Sequence, residues 1–357
     1  MKIFNSKKVK KLVSEEVCRK VISALNVPKL TNGERPSLDK LNKALRDLES
    51  IKLNIKQLGY ELARYNNIEP LEELPSGLPD AVPLSSKLTT QKDMESEWVR
   101  YWCRKMHIKP IYHRKLWEFC FFLQALHENL EIENALDGIG FGCGEEPLAS
   151  VLCSFGHKVT VTDLSPEKVR NLGWVETNQH TDSLEKSFYS DIITRETFYD
   201  LARLEYVDMN DVPSSLHGHY DYCYSICALE HLGSIRKGLD FVINSTKCLK
   251  PGGVAIHTTE FNFTNHPEEI DHWPTVIFKE KHMSQLFQEL EDEGCTALPL
   301  NLDFSTGILD RFIDIPPYSW DDGNIYNNDP FDQKVHLKLN VDGFPCTCIG
   351  IIVKKLA

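Results

Sequence analysis

The sequence predicts an α/β fold with a mostly parallel sheet, an antiparallel C-terminal edge and a helical N-terminal module. From Ala135 onward, short apolar runs alternate with helical patterns, which is typical of a parallel sheet covered by helices on both faces. Near the end, residues 333–340 and 346–354 alternate apolar with polar side chains, as an antiparallel hairpin at a sheet edge does. Within residues 38–64, apolar side chains recur every three or four positions, which indicates one long amphipathic helix.

The long helix needs a covering surface, because a single helix gains little stability in water. Its apolar stripe consists of Leu38, Leu41, Leu45, Leu48, Ile51, Ile55, Leu58 and Leu62. Either the rest of the chain covers this stripe, or the same helix of another copy covers it in a homo-oligomer. Four prolines within residues 70–83 break any regular element. We therefore predict a helical, coiled-coil-like module at 1–69, a linker at 70–94, an aromatic-rich helical cap at 95–130 and the α/β domain at 131–357.

The composition argues against several classes of function. The net charge of −12 repels a phosphate backbone, so nucleic acid is not an expected partner. Eleven scattered cysteines, an odd number, are typical of reduced thiols in a cytoplasmic protein, and they lack the spacing of a zinc site. No signal-peptide core follows the basic N-terminus, and no apolar segment reaches the length of a membrane span. We expect a cytoplasmic protein without a bound metal.

A glycine-rich turn and an acidic strand end predict a nucleoside site. Gly140, Gly142 and Gly144 lie between a predicted strand and a predicted helix, where backbone N–H groups can approach an anionic ligand closely. Asp163 ends the strand at 158–162, and its carboxylate there can accept hydrogen bonds from both hydroxyls of a ribose, which disfavours a 2′-phosphate. Dinucleotide-binding proteins share the glycine turn, and Asp163 is also a suitable N-cap for the next helix.

Two further motifs lie in the α/β domain. Asp208 and Met209 follow another predicted strand, where a carboxylate can take the amino group of an adenine and a thioether can pack on its ring. Taken alone, Asp208 is more typical of a loop residue. Residues 249–253, Leu-Lys-Pro-Gly-Gly, form a sharp turn before the strand at 254–259.

In this order and spacing, these motifs and the Glu230-His231 pair resemble the class I S-adenosylmethionine-dependent methyltransferases over residues 135–288. Four segments also resemble a bacterial subgroup that we associate with glycan and secondary-metabolite gene clusters: residues 112–118, 173–180, 227–233 and 257–262. The resemblance implies a Rossmann-like sheet and S-adenosylmethionine as the cofactor. It assigns the cofactor to Gly140, Gly142, Gly144, Glu146, Asp163, Leu164, Asp208, Met209, Cys227, Arg114 and Trp117.

One position departs from the family pattern. Gly140 lies where an acidic residue usually begins the glycine motif, and Asp137 lies three residues earlier. Either a bulge displaces Asp137 into that role, or the amino group of the cofactor is held by Glu145 or Glu146. Arg114, Lys115 and Trp117 are expected either to close over the carboxylate of the cofactor or to pack the cap.

Methyl transfer requires alignment of an acceptor and, for a hydroxyl, removal of its proton. The Glu230-His231 pair follows the fourth strand, at the edge where parallel sheets bind ligands, and a histidine such as His231 can serve as a general base. We therefore predict His231 as the general base, supported by Glu230. The alternative is that the pair only caps a helix.

Further candidates leave the next strand or follow the sheet. We expect His257, as a further catalytic residue, Glu260 and Asn262 either to orient the acceptor or to join Glu230 in binding a divalent cation. The small-RNA-terminus methyltransferases that hold metal use Glu-x-x-Glu-His, and Cys227 replaces their first glutamate here, which argues against both their metal and their substrate. Arg311 and Tyr318 either line the acceptor pocket or lie in a surface loop.

Three functions follow from these motifs. The first is O-methylation of a sugar, a glycan or a small polar metabolite. The second is N-methylation of an amino sugar or another amine, which needs no separate base if the amine arrives neutral. The third is a catalytically silent scaffold that recruits partners through the helix at 38–64. This hypothesis is suggested by Gly140, which lies where the family usually has an acidic residue. RNA methylation is disfavoured by the net charge.

Overall fold

The computed structural model describes residues 31–32, 35–36, 38–167, 182–264, 267–272, 274–316 and 335–357. The chain divides into two units, Met1–Leu58 and Gly59–Ala357. In the first unit, the described residues form a two-stranded ladder of β1 (Thr31–Asn32) and β2 (Arg35–Pro36), followed by most of helix α1 (Leu38–Tyr65). The helix predicted at 38–64 is confirmed. Side chains of its apolar stripe are about half exposed, among them Leu45, Leu48, Ile51 and Leu58.

The second unit contains a central sheet of mostly parallel strands with helices on both faces, as predicted. Its helices are the last residues of α1, then α2 (Gln91–Met94), α3 (Glu97–Lys105), α4 (Arg114–Asn129), α5 (Leu148–Ser154), α6 (Arg195–Leu201), α7 (Ile235–Thr246) and α8 (Glu280–Asp292). Its strands are β3 (Ser86–Leu88), β4 (Tyr112–His113), β5 (Asp137–Phe141), β6 (Lys158–Asp163), β7 (Ala202–Tyr206), β8 (Tyr220–Ile226), β9 (Leu249–Asn262), β10 (Asp271–His272), β11 (Thr275–Val276), β12 (Cys295–Ala297), β13 (Leu300–Asn301), β14 (Ile313–Asp314), β15 (Val335–His336), β16 (Lys338–Val341) and β17 (Phe344–Lys355).

The strand order β13-β3-β17-β9-β8-β5-β6-β7 determines where a ligand can bind. Strands β5, β6 and β7 proceed in one direction, and the chain then returns to place β8 on the other side of β5. Such a reversal opens a crevice at the carboxyl ends of the strands, since the connections diverge there. The glycine turn follows β5 and Asp163 ends β6, so the predicted motifs meet at this crevice.

Two strands differ from the prediction in position. The hairpin of β16 and β17 exists, but β17 lies inside the sheet, paired with β9 on one side and β3 on the other. Strand β3 comes from the segment predicted as a linker. Only three residues long, it has too little alternation to be recognised among the neighbouring prolines. It hydrogen bonds to β17 and so covers a strand that would otherwise be an edge.

Helix α4 belongs to the layers that cover the sheet, although its segment was predicted as part of a cap. The ring of Phe121 lies over β17 so closely that a Cβ on Gly350 would come within 2.2 Å of it. Phe122 packs on Tyr224 of β8, with ring centroids 4.4 Å apart. The helix therefore carries its first residue, Arg114, to the region of the crevice.

Two predicted segments lie outside the described residues. These are the motif at 173–180 and the loop that contains Tyr318. Among the described helices, none combines the length and the apolar character that crossing a membrane requires.

Candidate active site

The turn after β5 is restricted to glycine by its backbone and its neighbours. Gly142 has φ 62° and Gly144 has φ 52°, in the left-handed region that favours glycine. A Cβ on Gly142 would lie 2.9 Å from the Cβ of Ala228 and 3.3 Å from the sulfur of Met209. The turn therefore touches the segments that follow β7 and β8. Gly140 lies within β5, where a Cβ would come within 2.4 Å of Cys143 and Tyr224, so its smallness is required by packing.

Asp163 links the ends of three strands. Its Oδ2 accepts a hydrogen bond from the N–H of Gly144 at 3.2 Å, and its Oδ1 accepts one from the N–H of Leu164 at 2.7 Å. The backbone N–H of Val207, after β7, donates to the carbonyl of Asp163 at 3.0 Å. Asp163, Gly144 and Met209 are thus brought to one place, as predicted from the sequence.

Asp208 lies in the turn after β7. Its Oδ1 accepts a hydrogen bond from the N–H of Asn210 at 2.9 Å, which gives it the loop geometry that its residue type suggests. The next side chain, Met209, is buried against the glycine turn. The pair therefore lies beside the site, and a ligand role for Asp208 stays a prediction.

Asp137 does not replace the missing acidic residue. Strand β5 pairs with β6 without a bulge from Asp137 opposite Lys158 to Phe141 opposite Thr162. Asp137 lies at the amino end of the strand, where its carboxylate forms an ion pair with Lys250 at 3.1 Å. The alternative in which a bulge displaces Asp137 is therefore wrong, because the regular pairing holds it at the opposite edge of the sheet.

Glu146 is the remaining acidic candidate near the glycine turn. It is buried, whereas Glu145 is paired with Lys186 at 3.1 Å toward the surface. Oε1 of Glu146 lies 3.4 Å from the ammonium of Lys115, and Oε2 of Glu146 is buried without a hydrogen-bond partner among the described residues. Burial raises the pKa of Glu146 to about 8, against the opposing charge of Lys115. A ligand that donates a hydrogen bond to this Oε2 would satisfy it.

Arg114 begins helix α4 and enters a buried polar cluster. Its Nη2 lies 2.6 Å from Oε1 of Glu260, at the end of β9. Its Nη1 donates to the sulfurs of Cys348 at 3.0 Å and Cys227 at 3.5 Å, and lies 3.7 Å from Oε1 of Glu118. The Nε of Arg114 is buried without a hydrogen-bond partner among the described residues. Cys227 has φ 48°, a strained conformation for a non-glycine residue, and this places its thiol in the cluster.

The same cluster contains a set of side chains with the chemistry of metal ligands. Ligand atoms of Glu118, Cys227 and Cys348 lie within 4.8 Å of one another. However, Nη1 of Arg114 lies within 3.7 Å of all three residues. A guanidinium cation already occupies the position that a metal ion would need, and two cations at that spacing repel strongly in a buried site. We therefore assign these side chains to the anchoring of Arg114.

His231 follows β8, whose carboxyl end borders the crevice. It ends the short helical turn Leu229–His231, and its Nδ1 lies 3.0 Å from the carbonyl oxygen of Pro274. Because a carbonyl only accepts, this contact favours the tautomer of a neutral His231 that carries its proton on Nδ1. Glu230 is buried beside it, and its Oε2 accepts a hydrogen bond from the hydroxyl of Thr259 at 3.1 Å.

His257 and Trp117 lie in packing positions. His257 is fully buried, and its two ring nitrogens lie 2.8 Å from Oγ of Ser225 and 3.0 Å from Oγ of Ser245. Burial lowers the pKa of His257 to about 3, so the ring stays neutral. The indole N–H of Trp117 donates to Asp93 at 2.9 Å, and its ring stacks on that of Phe121, with ring centroids 4.8 Å apart. We leave both residues out of the site because their polar atoms are committed elsewhere.

The predicted acceptor residues occupy different surroundings. Glu260 and Asn262 lie at the carboxyl end of β9, opposite Cys348 and Cys346 of β17, and both are buried. Oδ1 of Asn262 accepts hydrogen bonds from the N–H and the hydroxyl of Thr264. Arg311 is exposed, and Tyr318 lies outside the described residues.

Comparison with known proteins identifies the family. A family model described as a methyltransferase domain matches residues 112–292, just over half of the 357 residues. The chain therefore belongs to the methyltransferase-domain family. It is an S-adenosylmethionine-dependent methyltransferase with a class I fold. Comparison with curated protein sequences gives no match.

Solved structures of methyltransferases resemble the chain weakly. A methyltransferase from Methanosarcina mazei is 14% identical, with 65% of this chain and 96% of that chain covered and a TM-score of 0.36. One from Mesorhizobium loti gives the same four values. Phosphoethanolamine N-methyltransferase 2 of Haemonchus contortus, in complex with S-adenosyl-L-methionine, is 13% identical, with 66% and 52% covered and a TM-score of 0.40. These similarities are too weak to bear on the acceptor.

The orphaned polar atoms fit the amino-acid end of this cofactor. Arg114 Nε is a buried donor, and Glu146 Oε2 is a buried acceptor, each without a hydrogen-bond partner among the described residues. A carboxylate accepts from the first and an ammonium donates to the second, so a zwitterionic amino acid would satisfy both. Sequence reasoning missed Glu118 as a member of this cluster. A single glutamate within the apolar run after Arg114 is the signal for Glu118, since such a charge needs partners when buried.

Proposed function

We propose that this methyltransferase transfers the methyl group to a hydroxyl of a sugar, a glycan or another small polar metabolite. The supporting observation is the geometry of His231, whose Nδ1 lies 3.0 Å from the carbonyl oxygen of Pro274, a contact that favours Nε2 as the proton acceptor. A hydroxyl needs such a base, whereas an amine that arrives neutral does not. Buried polar side chains beside it, Glu230 and Glu260, suit a hydroxylated acceptor.

The proposed cofactor contacts run along the crevice. Asp163 and Leu164 hold the ribose, Asp208 and Met209 hold the adenine, and Gly142 and Gly144 let the cofactor approach the backbone. At the other end, Glu146 accepts from the ammonium, and Arg114 donates to the carboxylate beside Cys227. When bound, S-adenosylmethionine supplies an activated methyl group on a sulfonium. The protein then has to orient the acceptor and move one proton.

In the proposed mechanism, Nε2 of His231 accepts the hydroxyl proton as the oxygen forms its bond to the methyl carbon. General bases of this kind contribute about 10²- to 10⁴-fold to a rate. Glu230 stabilises the imidazolium that forms, and Thr259 keeps its carboxylate oriented. Glu260 and Asn262 hold other polar groups of the acceptor, and Arg311 and Tyr318 contribute from the loop that follows.

Several broader assignments accompany this proposal. The motif resemblance supports an acceptor from glycan or secondary-metabolite biosynthesis, and the cysteine pattern supports a cytoplasmic enzyme. The half-exposed stripe of α1 supports a homo-oligomer formed through that helix. The predicted boundaries near residues 69, 94 and 130 remain proposals of the same kind.

Replacing the proposed base tests the reaction type. We expect His231→Ala to lower methyl transfer to the best acceptor in a panel of sugar nucleotides and glycans by about 10²- to 10⁴-fold. Its affinity for S-adenosylhomocysteine should change less than threefold, measured by calorimetry. The matched control is His219→Ala, because His219 is exposed at the amino end of β8, the opposite edge of the sheet.

The alternatives give different results in the same experiment. An enzyme that methylates an amine would accept amino sugars and would lose little rate in His231→Ala. A catalytically silent scaffold without a formed pocket would give no heat with S-adenosylhomocysteine, even in the wild type. Either outcome would contradict the proposed O-methylation.

A further inference from the structure

Glu260 carries an unusual buried carboxylate. Its Oε1 is held by Arg114 at 2.6 Å, but its Oε2 is buried without a hydrogen-bond partner among the described residues. A buried charged oxygen without a hydrogen-bond donor destabilises the folded protein, because it has lost its hydration and gained no hydrogen bond in return. Glu260 lies on β9, beyond Cys227 when counted from the glycine turn, on the side of the crevice where the acceptor is proposed to bind.

The surroundings of Glu260 contain more negative than positive charge. The groups that face it are Arg114, Lys115 and Glu118 from α4, Glu230 from the turn after β8, and the thiols of Cys346 and Cys348 from β17. Lys115 also pairs with Glu146. Four carboxylates, those of Glu118, Glu146, Glu230 and Glu260, therefore share two cations. A fully ionised cluster carries a net charge of about −2 in a site with little water.

A proton or a cationic ligand can neutralise part of this excess negative charge. Burial, together with the charges of Glu230 and Glu118, raises the pKa of Glu260 to about 7, although Arg114 opposes the shift. Glu260 is therefore close to half protonated at neutral pH in the ligand-free protein. The amino-acid end of the cofactor satisfies Glu146 and Arg114 Nε in both the methylated and the demethylated form. Within this cluster of described side chains, Oε2 of Glu260 then still lacks a hydrogen-bond partner.

We propose that Glu260 distinguishes S-adenosylmethionine from S-adenosylhomocysteine, being ionised opposite the sulfonium and returning to the partly protonated state of the ligand-free protein when the neutral thioether replaces it. This inference rests on the proposed function, from which it takes the placement of the cofactor. In the reaction, the bond from sulfur to the methyl carbon breaks, and the bond from carbon to the acceptor oxygen forms. The sulfur regains its electron pair, the hydroxyl proton goes to His231, and at pH 7 Glu260 takes up about half a proton from solvent. The product is then held less tightly than the substrate cofactor, which favours its release.

Proton exchange on binding tests this assignment. Calorimetry at pH 7 in phosphate and in Tris, which differ in ionisation enthalpy, gives the number of protons released per ligand bound. We expect S-adenosylmethionine to release about 0.5 proton more than S-adenosylhomocysteine from the wild type, because half of the Glu260 population must ionise. In Glu260→Gln this difference in proton release between the two ligands should change by about 0.5 proton. Titration of the free ligands is the same for both proteins and cancels in the comparison.

Two controls separate a local from a general effect. Glu291→Gln, on the exposed face of α8, should behave as the wild type. Glu146→Gln should reduce proton release equally for both ligands, since both carry the ammonium. An unchanged difference between the ligands in Glu260→Gln would overturn the inference.

The affinity ratio of the two ligands gives a test that needs no variant. Ionised Glu260 attracts the sulfonium, so in the wild type the preference for S-adenosylmethionine should rise by up to about tenfold between pH 6 and pH 8. A flat ratio would overturn the inference even if Glu260→Gln failed to fold. If neither ligand bound the wild type, the cofactor placement of the proposed function would fail as well. Binding of both ligands with a flat ratio would remove this inference alone.

Discussion

Replacing Gly142 with alanine should damage the site more than the fold. At φ 62°, a side chain costs about 1–2 kcal/mol of backbone strain. Its Cβ would also lie 2.9 Å from the Cβ of Ala228, whereas carbon atoms normally approach to about 3.5–4.0 Å. The segment that leads to Cys227 and His231 must therefore move by about half an ångström or more. We expect the affinity for S-adenosylhomocysteine to fall at least tenfold, which is about 1.4 kcal/mol.

Gly156→Ala provides the matched control for this prediction. Gly156 has φ 89°, so alanine meets comparable backbone strain, but no atom lies within 4 Å of the added Cβ. Both variants should lose stability by a similar ~1–2 kcal/mol, measured by chemical denaturation. Only Gly142→Ala should also lose affinity in calorimetry. Equal affinity of the two variants for S-adenosylhomocysteine would refute the placement of the ligand against this turn.

Two further predictions concern the buried charges. Because the folded protein keeps the Glu146 proton up to a pKa of about 8 while the unfolded chain loses it near 4.5, the stability of the ligand-free protein should fall as pH rises through this window. Thermal unfolding of Glu146→Gln at pH 5 and 8.5 should show a smaller fall, and an equal fall in both proteins would exclude Glu146 as its source. Glu118→Ala removes the acceptor of the Thr258 hydroxyl, which donates to Glu118 at 2.6 Å, and one of the two carboxylates beside the buried Arg114, so we expect a loss of about 3–5 kcal/mol in urea unfolding. A loss below about 1 kcal/mol would contradict the role of Glu118 as an anchor.

The sequence was sufficient to predict the sheet and one side of the site, because both depend on local patterns. Apolar runs identify β6, β8 and β9, and the glycine turn and Asp163 are adjacent to strand ends, where ligands bind in this architecture. The position of β17 was not predictable in the same way. Its alternating pattern fits any strand with one face packed on helices, and its neighbour β3 is too short to be recognised.

The polar cluster depends on contacts between distant parts of the chain. The thiol of Cys348 and the carboxylate of Glu118 lie 2.9 Å apart, although 230 positions separate them. No local pattern predicts such a pairing. His257 was assigned to the site because it shares β9 with Glu260, but side chains three positions apart on a strand point to opposite faces. The alternation of side chains between the two faces of β9 is therefore the sequence signal against placing His257 in the site.

A crystal structure with bound S-adenosylhomocysteine tests the central claim most directly. We expect the ribose on Asp163, the adenine beside Met209, and the amino-acid end between Glu146 and Arg114. A nucleoside bound elsewhere, or a crevice filled by side chains at saturating ligand, would contradict the proposed site.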